Sequence, residues 1–196
     1  MKKIPTLFNR VFEGRKIVDI LPDITPGCGT AFEYGDATIK VDGSCCAFIR
    51  GKFYKRYDAK KGKKPPKDAI PCCAPDPITG HWPHWVPVST EDPADKWFME
   101  ALKNSIGEVT IDAAGCPYPI TYEAIGKHFN GNPYGLDTDI LVRHGSSPVD
   151  VKRDFDSIKE WLETHEEEGL VFWMYGRPIC KIKRSDFGLE WPVKKD

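Results

Sequence analysis

The sequence predicts an α+β domain in which antiparallel β-sheets are flanked by a few helices. Three observations point there: two stretches read as β-hairpins, two segments repeat their apolar residues at helical spacing, and the order runs strands, helix, strands, helix, strands. With 196 residues, 40% hydrophobic and 29% charged, the chain can fill one sizeable core, so a single domain over 1–196 is expected.

The first hairpin is read from Thr38 to Ala59. Its arms, ATIKVDGSCCAFI and FYKRYDA, flank a glycine turn at Arg50-Gly51-Lys52. KKGKKPPKDAIP then interrupts regular structure, and PDPITGHWPHWVPV reads as a long tryptophan-rich loop or lid. The next segment carries helix punctuation: Asp92 as cap, Pro93 at the first helical position and Gly107 as the stop, with Trp97, Leu102 and Ile106 on the buried side. A strand pair follows around EVTIDAAG and ITYEAIGKH, then a loop at FNGNPYGLD and a strand at DILVRH. A second helix is expected from about Asp150 to His165, with Val151, Phe155, Ile158, Trp161 and Leu162 forming a core-facing stripe. EGLVFWMY and ICKIKRSDF read as the second hairpin, turning at Gly176-Arg177-Pro178.

No stretch approaches the roughly 18 consecutive apolar residues that suggest a membrane span, and MKKIPTLFNRVFEGRK lacks an apolar run of signal-peptide length. A soluble, cytoplasmic protein is expected, as a monomer. Seven cysteines, an odd number with two adjacent pairs, fit reduced thiols better than a disulfide framework. Cys72, Cys73, His81 and His84 could bind zinc by type, but their spacing matches no usual zinc pattern. Net charge is −1, yet ten basic residues lie between Lys40 and Lys67 against Asp42 and Asp58. Such a patch attracts phosphate, and its Lys60–Lys67 part is a candidate RNA contact.

Lys40 stands in an otherwise strand-like stretch, IKVDGS. A strand lysine ordinarily snorkels into water. Here Asp42, two residues on, is placed on the same strand face, and Gly43 permits close approach of a ligand or of backbone. An amine acts as nucleophile only after losing its proton, and nearby cations favour that loss. Lys181 and Lys183 alternate on one face of the last strand, and Lys55 and Arg56 lie on the partner arm of the first hairpin. Glu123 in TYEAIG and Glu168 before GLVFW are glutamates in apolar strand contexts, and their hard oxygens suit a divalent cation.

KVDG at 40–43, YKRY at 54–57, TYEAIG at 121–126, EGLV at 168–171 and KIK at 181–183 reproduce in order the signature of the covalent nucleotidyltransferases. A lone KxDG occurs by chance in roughly a few per cent of chains this long; five ordered elements are far more specific. HWPHWVPV, YEAIGKHFNGNPYG and ILVRHG resemble the RNA ligase 1, or 5′-to-3′ RNA ligase, family within that superfamily.

The resemblance implies a nucleotidyltransferase (adenylation) fold; because the sequence stops soon after Lys183, an OB-fold domain like that of DNA ligases and capping enzymes is not expected. It implies ATP and Mg²⁺ (or Mn²⁺) as cofactors, and RNA with 5′-phosphate and 3′-hydroxyl ends as substrate. Lys40 is then the nucleophile. Lys181 and Lys183 contact the α-phosphate, Arg56 the phosphate and ribose, and Glu123 the ribose hydroxyls; Glu168 and Asp42 serve the metal. Gly43 leaves room for the nucleotide, while adenine stacking falls to Leu141, Val142 or His144. A DNA nick ligase or capping-type enzyme is one alternative, and a non-catalytic RNA-binding module is another.

Overall fold

The computed structural model describes residues 3–14, 16–111 and 119–194. In chain order the elements are β1 (Phe8–Glu13), β2 (Lys16–Ile24), α1 (Gly29–Tyr34), β3 (Asp36–Lys40), β4 (Ser44–Ile49), β5 (Lys52–Ala59), β6 (Ile70–Pro71) and β7 (Trp82–Pro87). A 3-10 turn at Pro93–Asp95 leads into α2 (Lys96–Asn104), followed by β8 (Ile120–Ile125), β9 (Ile140–Arg143), α3 (Phe155–Thr164), β10 (Gly169–Met174) and β11 (Arg177–Lys183). The architecture is α+β with antiparallel sheets and few helices, as expected. No helix among the described residues is long and apolar enough to cross a membrane.

The chain divides into two compact units: residues 42–144, and residues 3–41 together with 145–196. The second contains a three-stranded sheet in the order β11-β10-β3, and a separate β1-β2 hairpin that sequence reading left unassigned. Gly169 pairs with Lys40 on one side and Lys183 on the other, and Val171 likewise joins Thr38 to Lys181. Because side chains alternate, one face carries Lys40, Lys181 and Lys183 and the other carries Ala37, Leu170, Phe172, Cys180 and Ile182. That second face packs on Phe32 of α1 and on Ile158 and Leu162 of α3. Leu170, Phe172, Ile182, Ile158 and Leu162 are fully buried, each side chain contributing about 1.5–3 kcal/mol.

The other unit holds a six-stranded sheet in the order β6-β7-β5-β4-β8-β9. Cys46, Phe48, Phe53, Tyr122 and Leu141 pack beneath α2 through Ala101, while Ala47, Tyr54 and Trp85 form a smaller cluster. Buried Asp95 ties this packing together by accepting from the Lys55 ammonium and from the Ser89 N–H.

Several sequence expectations are corrected. The first hairpin is shorter than its apolar pattern: β3 ends at Lys40 and pairs with β10, whereas β4 pairs with β5. The break falls at Val41–Gly43, so Asp42 is not on Lys40's strand, and Lys55 and Arg56 do not lie on its partner. WPHWVP is no loop or lid but β7, hydrogen-bonded between β5 and the short β6. Burial of His84 and Trp85 outweighs the penalty of the prolines. Helix α2 stops at Asn104, leaving Ile106 76% exposed. Helix α3 starts later than expected because the Asp154 carboxylate accepts from the Ser157 N–H and fixes the cap there. Val109–Ile111 forms no strand, and the rest of the EVTIDAAG expectation lies outside the described residues.

The second hairpin turns at Tyr175-Gly176 (φ 52° and 70°) rather than at Gly176–Pro178, and the first at Arg50-Gly51 (φ 50° and 74°). Both are two-residue loops with left-handed central residues, as the twist of the flanking strands demands. Gly169 has a different constraint: a Cβ there would lie 2.1 Å from the Ile182 carbonyl oxygen. Gly169→Ala is therefore expected to lower stability by about 1–3 kcal/mol or more in urea unfolding. Gly29→Ala, at the start of α1 with nothing nearby, is expected to be neutral or stabilising.

Candidate functional site

The polar face of the three-stranded sheet begins at Lys40. Its ammonium donates to the Glu168 carboxylate, and the two side chains are 18% and 9% exposed, so the amine does not face bulk solvent. Glu168 sits one residue before β10, and its carbonyl accepts from the Arg184 N–H at 2.9 Å, which fixes the backbone that presents the carboxylate. Lys181 lies on the same face. Burial pushes its ammonium down to about 8, with Lys40 and Lys183 acting in the same direction and Glu168 opposing them. The crowding of cations expected from the sequence is thus felt at Lys181. Strand β11 is held on its outer side as well: the Lys181 N–H donates to the Pro5 carbonyl and the Leu7 N–H donates to the Lys181 carbonyl. The Lys183 N–H donates to Asp186, which also accepts from Arg10.

In the six-stranded unit, Asp42 and Gly43 are fastened by the loop after β8. The Asp42 N–H donates to the Tyr134 hydroxyl at 2.6 Å, while the Asn130 amide donates to the Asp42 carboxylate and the Gly43 carbonyl. Asn130, Gly131 and Asn132 all have left-handed φ, which explains the asparagines and glycine of FNGN. Gly43 answers a backbone need, since a Cβ there would lie 2.4 Å from the Ala124 carbonyl oxygen.

Register places Cys45 opposite Glu123, and Arg56 opposite Trp85. Arg56 and Lys55, adjacent on β5, point to opposite faces, and the Arg56 guanidinium donates to Asp58. The His144 Nε2 lies 3.0 Å from a Glu123 oxygen and its Nδ1 2.9 Å from the Thr121 hydroxyl. The other Glu123 oxygen, Oε2, is buried without a hydrogen-bond partner among the described residues. The Cys45 thiol is pushed up to about 12 by burial and then by the Glu123 charge. A cleft of about 500 Å³ is lined by Gly43, Cys45, Arg56, Asp58 and Glu123 among others, within the size range of small-molecule sites. Leu141 is buried beneath α2, while Val142 is paired with Glu123.

Sequence reading missed Cys45, Thr121, Asn130 and Tyr134. Cys45 is revealed only by β4–β8 pairing and Thr121 only by the return of the chain along β9 to His144, whereas the left-handed FNGN turn was a local signal for Asn130. Cys72, Cys73, His81 and His84 form no liganding group; among the described residues that group is Cys45, Glu123 and His144.

A family profile described as RNA ligase 1 matches residues 118–196. RNA ligase 1 of Danio rerio is 30% identical over 141 residues, 58% of this chain and 43% of that protein. RNA ligase 1 of Pongo abelii is 28% identical over 142 residues, with the same coverage, and that of Rattus norvegicus is 26% identical over 226 aligned positions, 80% of this chain and 68% of the relative. The chain is close to the RNA ligase 1 family. It spans less than half the length of the Danio rerio and Pongo abelii proteins.

Lys181 is expected to titrate near pH 8 in lysine-labelled protein followed by NMR. Lys183→Met removes one of the cations that depress it, so the midpoint should rise toward the ordinary 10.5. Because the folded value is lowered, this group's contribution to stability should increase as pH rises from about 8 toward 10.5.

Proposed function

We propose that this chain is an ATP-dependent RNA ligase built on the nucleotidyltransferase fold and working through a lysyl-AMP intermediate. The observation that carries the reading is the Lys40–Glu168 pair on a sheet face that also presents Lys181 and Lys183. The five ordered motifs and the similarity to RNA ligase 1 proteins support it.

The Lys40 ammonium first gives up its proton, and Glu168, already hydrogen-bonded to it, is the acceptor at hand. The freed lone pair attacks the α-phosphorus of ATP; the N–P bond forms, the bond to the bridging oxygen breaks, and pyrophosphate leaves. Lys181 and Lys183 offset the charge gathering on the α-phosphate oxygens. AMP then passes to the 5′-phosphate of an RNA, forming a phosphoanhydride and restoring the amine. Attack by a 3′-hydroxyl on that activated phosphate seals the strand and releases AMP.

Within the six-stranded unit, Arg56 takes the phosphate and ribose side, Glu123 the ribose hydroxyls and His144 the base. Glu168 offers a hard oxygen suited to Mg²⁺ or Mn²⁺; the cation supplies charge neutralisation at phosphate. Exposed lysines between Lys60 and Lys67 contact the RNA backbone. The protein acts as a cytoplasmic monomer.

Mixing the protein with ATP and Mg²⁺ is expected to add one AMP to its intact mass, an adduct stable to base and labile to acid. Lys40→Ala should abolish the adduct, and Lys183→Met should slow its formation by roughly 10²-fold or more, the loss typical of one electrostatic stabiliser. An unmodified mass with every nucleotide tried would remove the reading.

A further inference from the structure

The sulfur of Cys45, the carboxylate of Glu123 and the imidazole of His144 each offer a ligand atom, and these atoms all lie within 4.8 Å of one another. Ligands around a tetrahedral zinc with bonds of about 2.0–2.3 Å stand roughly 3–4 Å apart, so small side-chain rotations suffice. The fold sets most of this geometry. Cys45 and Glu123 are directly paired across β4 and β8 on one face. His144, one residue beyond β9, is anchored by its N–H donating to the Thr121 carbonyl.

Two further details point to a ligand. Glu123 Oε2 is buried with no hydrogen-bond partner among the described residues, so the carboxylate has capacity to spare. His144 Nδ1 faces the Thr121 hydroxyl at 2.9 Å, an outer contact of the kind that orients metal-bound imidazoles. A hydroxyl can donate or accept. When a metal displaces the hydrogen bond from Nε2 to Glu123, the hydroxyl can therefore accept from Nδ1–H, the tautomer that gives Nε2 to the metal.

We propose that Cys45, Glu123 and His144 form a binding site for a borderline-soft divalent cation of the zinc class, with one coordination position left open. One sulfur, one nitrogen and one oxygen ligand fit zinc or cobalt and are unsuited to magnesium, which takes oxygen ligands. As the sulfur–metal bond forms, the thiol proton passes to solvent, the hydrogen bond from Nε2 to Glu123 gives way, and the imidazole exchanges its single proton from Nε2 to Nδ1 through solvent. A metal held here withdraws Glu123 from the ribose, so zinc and nucleotide exclude each other; that clause rests on the ligase reading.

The test is a Co²⁺ titration of the reduced full chain, read by thiolate-to-cobalt charge-transfer absorption. The wild type and Cys72→Ser are expected to show the band, Cys45→Ser to lose it, and His144→Gln to bind at least tenfold more weakly. No band in the wild type, or a band that survives Cys45→Ser, overturns the site. Should Cys45→Ser fail to fold, His144→Gln decides: weaker binding supports the proposal and unchanged binding overturns it. Adenylation is scored separately, on cobalt-free protein given ATP and Mg²⁺. Cobalt bound through thiolate without any AMP adduct removes the ligase reading and leaves the metal site, and the reverse result does the opposite.

Discussion

Everything on the polar face of the three-stranded sheet depends on how closely β10 and β11 approach at Gly169. The Ile182 carbonyl occupies the space a Cβ would need, and this contact sets the register that lines up Lys40, Gly169 and Lys183. A one-residue slip would send Lys181 and Lys183 into the core and bring Cys180 and Ile182 to the surface. Fully buried Leu170, Phe172 and Ile182 make that slip costly, so the apolar layer on one side fixes where the amines stand on the other.

Gathering three lysines on one face of a small sheet has its own cost. Like charges at this spacing repel, and burial removes the water that would screen them. Glu168 offsets part of this by pairing with Lys40, and the remainder shows as the depressed Lys181 ammonium. The arrangement is held by neighbours with no part in the proposed chemistry: Pro5 and Leu7 along the outer edge of β11, and Arg10 and Asp186 beyond its end.

Much of this was legible in the sequence, for identifiable reasons. The second hairpin and helices α2 and α3 announce themselves through alternation, helical spacing and capping aspartates, all local signals, whereas the short α1 goes unread. The KxDG, EGxV and KxK elements are short and ordered, so Lys40, Glu168, Lys181 and Lys183 could be picked out before any fold was known. What failed was long-range or counter to propensity. A strand-like pattern on both sides of Val41–Gly43 hid the exit of the chain there, and the prolines of WPHWVP concealed a strand whose pairing is decided by buried His84 and Trp85. Cys45 meets Glu123 only through strand pairing, and no spacing rule within the chain reports it.

The six-stranded sheet ends on one side in β6, two residues long and containing Pro71, and on the other in β9, only four residues long. Long ladders of unpaired amides on a sheet margin invite other chains to dock and seed aggregates. In this sheet the margins are too brief to template such growth, so its six strands offer a neighbouring chain little to extend.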